Sequence, residues 1–155
     1  MAASAWQLYN DGKRYIGNGT IQLGVNNFKM ALFTSASNAS TFTLSTFASL
    51  TSEISATGGY VSGGKALVPA TGQWTVGASA KQMKFTYSTV GLTFTASGAS
   101  LTNIRYAVIT YGASAAVASA RKLVCFCQLS SAQFTVTSPN TLTVLPAATG
   151  VFTLT

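Results

Sequence analysis

Cys125 and Cys127 stand one residue apart in the apolar run "RKLVCFCQLS", residues 121–130. Two thiols that close could clip a metal or exchange a disulfide. On a strand, residues i and i+2 point to the same face about 6.5–7 Å apart, too far for an unstrained disulfide between them. A zinc site would need two further ligands, and the chain has no histidine, no third cysteine and only the separated carboxylates Asp11 and Glu53. A redox pair would need C-x-x-C beside a helix start. Both thiols therefore read as small hydrophobes of a central strand, beside Leu123 and Leu129. No metal and no cofactor is expected.

"GYVSGGKA", residues 59–66, comes close to a phosphate-binding loop. It has Ala66 where a metal-binding hydroxyl should stand, and Pro69 forbids the helix that should follow. It reads as a glycine-rich turn leading into a strand. General acid–base catalysis draws mostly on His, Asp, Glu, Lys, Tyr or Cys beside a partner. With no histidine, a carboxylate pair requires Asp11 and Glu53 to meet across the fold. Serine–lysine pairs are compatible with the composition, but no spacing singles one out. The chain is not expected to be an enzyme.

The elements that must position these residues come from an unusual composition. Of 155 residues only 7% are charged, while 18 are serine and 22 threonine; soluble domains usually carry about 25% charge. Such a neutral, hydroxyl-rich surface suits a protein packed against copies or neighbours. Nine Lys and Arg against two acids leave a net charge of +7. These cations are scattered, with two adjacent pairs and no basic tail, so direct nucleic-acid binding is not expected and an acidic protein surface is the better complement. No basic opening followed by an apolar run marks a leader. Apolar runs of about five residues fall far short of the ~20 that span a bilayer. The chain is expected to be made in a cytosol and soluble there, where the sequons at Asn18 and Asn38 carry no weight.

Period-two alternation dominates, in "NFKMALFT", "KQMKFTY", "VGLTFT", "QFTVT", "TLTV" and "VFTLT". "NIRYAVITY" and "KLVCFC" are apolar on both faces and read as central strands covered on both sides. "SPN" at 138–140 and "PAATG" at 146–150 read as short hairpin turns, and residues 111–120 as an exposed, mobile loop. Helix is confined to candidates at 4–15 and around 46–55. The expected fold is all-β: one domain over residues 1–155, an antiparallel β-sandwich (jelly-roll-like) of about eight or nine strands, with residues 1–19 an arm or short helix.

Six residues stand out as a candidate interface. Trp6, Tyr9, Lys13, Arg14 and Tyr15 form either an aromatic docking segment or a flap that closes the bottom of the sandwich. Arg105 is a cation inside an apolar strand. Either its stem packs on the sheet while its head reaches solvent or a carbonyl, or it pairs with Glu53 or with a neighbouring subunit's acid.

The stretches "WQLYNDGKRYIGNGTIQL", "NFKMALFTSASNAS", "LTSEISATGGYVSGGKAL", "LTNIRYAVI", "KLVCFCQLSSAQFTVTSPNTLTV" and "GVFTL" together resemble a family of small tailed-bacteriophage virion proteins, almost end to end. Members that can be placed are similar to capsid decoration (cement) proteins. The resemblance implies a protein on the outer surface of the phage head, stapling neighbouring major capsid proteins through their acidic exterior. It would act as a homo-oligomer, a trimer at three-fold positions. A tail or head-fibre component is the alternative within the particle. A glycan-binding adhesion sandwich, with Trp74 and Tyr60 as aromatic platforms, is the alternative outside that class. Relatives tend to be acidic around the loop where this chain has Gln22, Gly24, Asn26 and Asn27, so a calcium site there would lack its carboxylates.

Overall fold

The computed structural model describes residues 3–25, 27–67, 73–77, 81–87, 90–112 and 120–155. Its longest strand is β7 (Leu101–Tyr111), flanked by β2 (Phe28–Thr34) and β8 (Lys122–Gln128). These two-sided apolar segments lie at the centre of the main sheet. β1 (Gln7–Leu8) extends it beyond β8, β3 (Lys65–Ala66) extends it beyond β2, and β9 (Phe134–Val136) adds to the start of β7. The opposing layer is split. One part pairs β6 (Leu92–Thr95) with β10 (Thr141–Val144); the other sets β5 (Met83–Phe85) between β4 (Trp74–Val76) and β11 (Phe152–Leu154). Every strand pair is antiparallel. The fold is an all-β sandwich with eleven strands among the described residues, the excess over eight or nine coming from β1, β3 and β4, too short to show alternation.

Both faces of the main sheet are buried, which accounts for the continuous apolar character of β7 and β8. On one face Met30, Leu32, Ala107, Ile109 and Cys125 meet Phe85, Leu92, Phe94 and Val144 of the small sheets, with the Phe28 and Phe85 rings 5.1 Å apart between the layers. On the other face Phe33, Tyr106, Val108, Leu123 and Phe126 are covered by Tyr9, Ala39 and Phe47. Ala39 and Phe47 belong to the connection after β2, while Tyr9 comes from the segment just before the helix at residues 10–17. The region around 46–55 yields only a 3-10 turn at Phe47–Ser49. Beyond it the chain runs along β2 instead of coiling: Thr34 N donates to Ser52 O and Ile54 N to Leu32 O.

Two bulges decide which residue faces which layer. Ile109 is opposite Cys125 and Thr110 opposite Leu123, so Val124 is the extra residue. Leu123 therefore lies on the face away from Cys125, a correction to the expectation that it packs beside the thiols. Phe33 faces Tyr106 and Thr34 faces Ile104, which makes Arg105 the extra residue in β7.

The outer edge of β8 is sealed by two pieces of chain, residues 4–9 and the stretch at Ser45. Ser4 N donates to Gln128 O, Tyr9 N to Val124 O, and Leu123 N to Ser45 O. The helix α1 occupies Asn10–Gly17, shifted from the expected 4–15, because residues before Tyr9 are drawn out along this edge as β1. Two turns also differ from expectation. "SPN" leads from β9 on the main sheet to β10 on β6, and "PAATG" leads from β10 to β11 on β5, so both are corners between sheets and not hairpins. Most of the loop expected at 111–120 lies outside the described residues, as does Pro69.

Gly12 is where α1 meets the bulge: a Cβ there would stand 2.5 Å from Val124 O and 3.1 Å from Leu123 O, whereas one on Gly17 would meet nothing within 4 Å. Gly12→Ala should cost about 1–3 kcal/mol through overpacking against rigid backbone. Gly17→Ala should gain about 0.5 kcal/mol from reduced chain freedom. Urea unfolding of both variants checks the opposite signs that helix propensity alone would not give.

Candidate functional site

The strongest polar grouping centres on Glu53, which the chain sets beside Phe33 at the end of β2. Its Oε1 accepts from Tyr60 Oη and from the Gly63 backbone N–H, each at 2.6 Å, and its Oε2 accepts from Ser62 Oγ at 3.0 Å. Tyr60 Oη in turn accepts from Leu32 N. The Gly63 carbonyl accepts from Arg121 Nη2 at 2.8 Å, and the same nitrogen donates to Thr110 Oγ1 at 2.6 Å. One glycine thus links anion and cation, its N–H on the carboxylate and its C=O on the guanidinium. Gly63 has φ +84°, and a Cβ would lie 2.7 Å from Arg121 Nη1, so only glycine fits. The stretch that resembles a phosphate loop is indeed a turn into β3, and its amide embraces a carboxylate of its own chain.

Arg121 is 4% exposed and lies 4.1 Å over the Phe47 ring. Burial pulls its pKa below the ordinary value while Glu53 works in the opposite direction; an arginine stays cationic regardless. Its Nε is buried with no hydrogen-bond partner among the described residues. With every oxygen of Glu53 occupied and its nearest cation an arginine, the arrangement is mechanical: it clamps the 58–64 turn onto β2 and the start of β8.

A second grouping forms on α1. Arg14 Nε donates to Asp11 Oδ1 at 2.9 Å. Arg14 Cζ lies 4.9 Å from the Tyr15 ring centroid, and Lys122 Nζ lies 5.2 Å from it. Lys13 on the same helix is exposed.

The six residues singled out from sequence therefore do not form one surface. Trp6 is half-buried and packs against the core. Tyr9 is wholly buried, its ring 5.1 Å from Phe126 and its hydroxyl donating to Ala39 O at 2.5 Å. For these two the flap describes the structure and the docking segment does not. Lys13, Arg14 and Tyr15 stay on the outside of α1, where Lys122 joins them. Arg105 stands apart, six residues or about 20 Å along β7 from Tyr111, the partner of Lys122. It is half-buried, with its guanidinium 5.4 Å from the Tyr106 centroid. It does not pair with Glu53, so within the chain the packed-stem reading holds. The cation coupled to Glu53 is Arg121.

Trp74 and Tyr60 do not make a pair of platforms either. Tyr60 is 5% exposed and leans on Phe94, while Trp74 packs against the core from β4. Cys125 and Cys127 are free and buried; Cys127 Sγ donates to Ser4 O at 3.1 Å. Burial pushes both thiols upward. An apolar cavity of about 550 Å³ opens between Ala3–Trp6 and the turn after β10, with Cys127, Leu129 and Phe134 in its lining. Among the described residues no three His, Cys, Asp or Glu side chains converge. Comparisons with family models, with curated proteins and with solved structures each gave no match.

Glu53→Ala should cost about 3 kcal/mol, because it strands the Gly63 amide and the Tyr60 hydroxyl and removes the charge opposite Arg121. Arg105→Ala should cost less than about 1 kcal/mol. Chemical denaturation of the two variants checks the ranking.

Burial holds the hydroxyls of Tyr9, Tyr60 and Tyr87 protonated well above their ordinary value of 10, and the two thiols above 9.0. Unfolding returns each group to its ordinary value, so above it the unfolded chain binds fewer protons than the folded one. Stability is fully present below about pH 9 and falls as pH rises, by about 1.4 kcal/mol per pH unit for each group that titrates only in the unfolded chain. Urea midpoints should be flat to about pH 8.5 and drop steeply beyond about pH 10, with a shallower drop in Tyr87→Phe.

Proposed function

We propose that this chain is a bacteriophage virion structural protein, a capsid decoration protein that staples neighbouring major capsid proteins on the outside of the head. The observation that carries the reading is the charge imbalance. The chain has nine cations and two carboxylates, and both carboxylates are engaged within the fold, Asp11 with Arg14 and Glu53 with the 60–63 turn. The remaining positive charge seeks its counterpart on another molecule, and an acidic capsid exterior supplies one. The end-to-end resemblance to tailed-phage virion proteins supports the same assignment.

Homo-oligomeric contact, as a trimer, fits the exposed sheet edges. Val76 on β4 and Leu154 on β11 are 70% and 40% exposed, and the register sets them in one row across Met83 of β5. An open edge strand offers unpaired backbone groups to another chain, and apolar side chains set in a row beside it add a surface that such a contact can bury. The role needs no catalysis, cofactor, nucleic acid or membrane, and places the protein in the virion after synthesis in the host cytoplasm.

Purified protein mixed with undecorated heads should saturate at a fixed, symmetry-related copy number and make the heads more resistant to heat. Moderate salt should slow attachment more than it releases bound protein, because charges more than ~8 Å apart are screened at physiological ionic strength while apolar contact is not. Protein that ignores heads at every salt concentration but appears in few copies on the tail would replace the staple with the tail or fibre reading.

A further inference from the structure

We infer that the outer side of α1, where Arg14 and Lys122 flank Tyr15, is the surface that receives an acidic protein partner. This assignment rests on the decoration reading only for the partner's identity. Arg14 and Lys122 lie 4.9 and 5.2 Å from the same ring centroid, so their charges stand no more than ~10 Å apart. Two like charges at that separation repel within about one screening length. The fold places one carboxylate beside them, Asp11, and it is bonded to Arg14 alone. The other carboxylate of the chain is enclosed by Tyr60, Ser62 and Gly63. Among the described residues Lys122 therefore forms no ion pair, and Lys13, exposed on the helix that carries Arg14, adds a third cation.

The other cations are arranged differently. Lys65 Nζ is turned onto Thr93 O at 2.9 Å, and Lys84 Nζ lies 3.5 Å from Ala148 O. Arg105 sets its guanidinium 5.4 Å from the ring centroid of its own neighbour Tyr106. Only at Tyr15, among the described residues, do two cations approach one aromatic ring. Tyr15 also decides between classes of polyanion. Single-stranded nucleic acid binds by stacking bases on open aromatic rings along a basic track. Here cations lie over the ring, and α1 is a single eight-residue helix. Carboxylates need only the charges and their hydrogen-bond donors, which Arg14 and Lys122 supply.

The test uses poly-L-glutamate as the acidic probe, titrated into the full chain at low salt and followed by backbone amide shifts. Shifts should concentrate on residues 11–17 and 121–123. The double variant Arg14→Gln/Lys122→Gln should weaken binding about tenfold, as two exposed ion pairs of up to ~1 kcal/mol each allow. Lys81→Gln/Lys84→Gln, which removes the same charge from the β5 region, should change it less than about twofold. Equal weakening by both pairs, or shifts spread over the whole surface, would overturn the assignment, and so would tighter binding to an oligo-dT of equal charge. Undecorated heads separate this inference from the decoration reading. If wild type decorates heads and Arg14→Gln/Lys122→Gln does so equally well, the surface is wrong and the staple stands. If poly-glutamate maps to α1 but wild type ignores heads, the surface stands and the staple falls.

Discussion

The structure depends on one requirement: the hairpin partners β7 and β8 are apolar on both faces, so water must be kept from both at once. A two-layer sandwich covers only one side of a sheet. Here the small sheets cover the first face, and the second is closed by irregular chain, with Phe47 and Ala39 brought over Phe33 and Val108. Irregular backbone over a core leaves polar groups to satisfy. The clamp around Glu53 meets that need in the same region, receiving an amide, a phenol and a hydroxyl on one carboxylate. Core and clamp are one device, since Phe47 lies under the guanidinium of Arg121.

Charge scarcity gives that clamp its significance. Buried ion pairs commonly add little net stability because desolvation offsets attraction. In this chain Glu53 and Arg121 form no ion pair; Gly63 stands between them, with its N–H on the carboxylate and its C=O, from the next peptide group, on the guanidinium. The consequence is specificity more than strength: one turn conformation satisfies both charges, and any other leaves one of them unpaired in a largely apolar interior. A chain with two carboxylates that uses one this way leaves its surface strongly cationic.

Much of the fold was legible from residue order because alternation reports burial directly. β2, β6 and β10 carry that signal, and β7 and β8 show the continuous apolar run that a strand covered on both faces requires. Three-residue β5, β9 and β11 were found as well, because Phe85, Phe134 and Phe152 anchor them. What escaped was set by distant contacts. β1 exists because the edge of β8 needs a partner, a fact absent from "WQLY" itself. The bulge at Val124, which sends Leu123 to the other layer, leaves no local mark in "KLVCFC". The partnership of Glu53 with Arg121 was hidden for the same reason, since 68 positions separate them. No local signal marked it, because neither the burial of Arg121 nor its place beside the 58–64 turn is visible in residue order.

The sealing of β8 by the start of the chain bears on the order in which the protein can be made. Ser4 and Gln128 exchange two hydrogen bonds across 124 residues of sequence. A ribosome delivers this segment first, yet its docking strand emerges only more than a hundred residues later. Until then Trp6 and Tyr9, both destined for the interior, remain without their site. Contacts so far apart in sequence slow folding, because the loop must close before it is rewarded. Sealing of this edge is thus deferred until β8 has emerged, and the nascent chain spends that interval with Trp6 and Tyr9 uncovered.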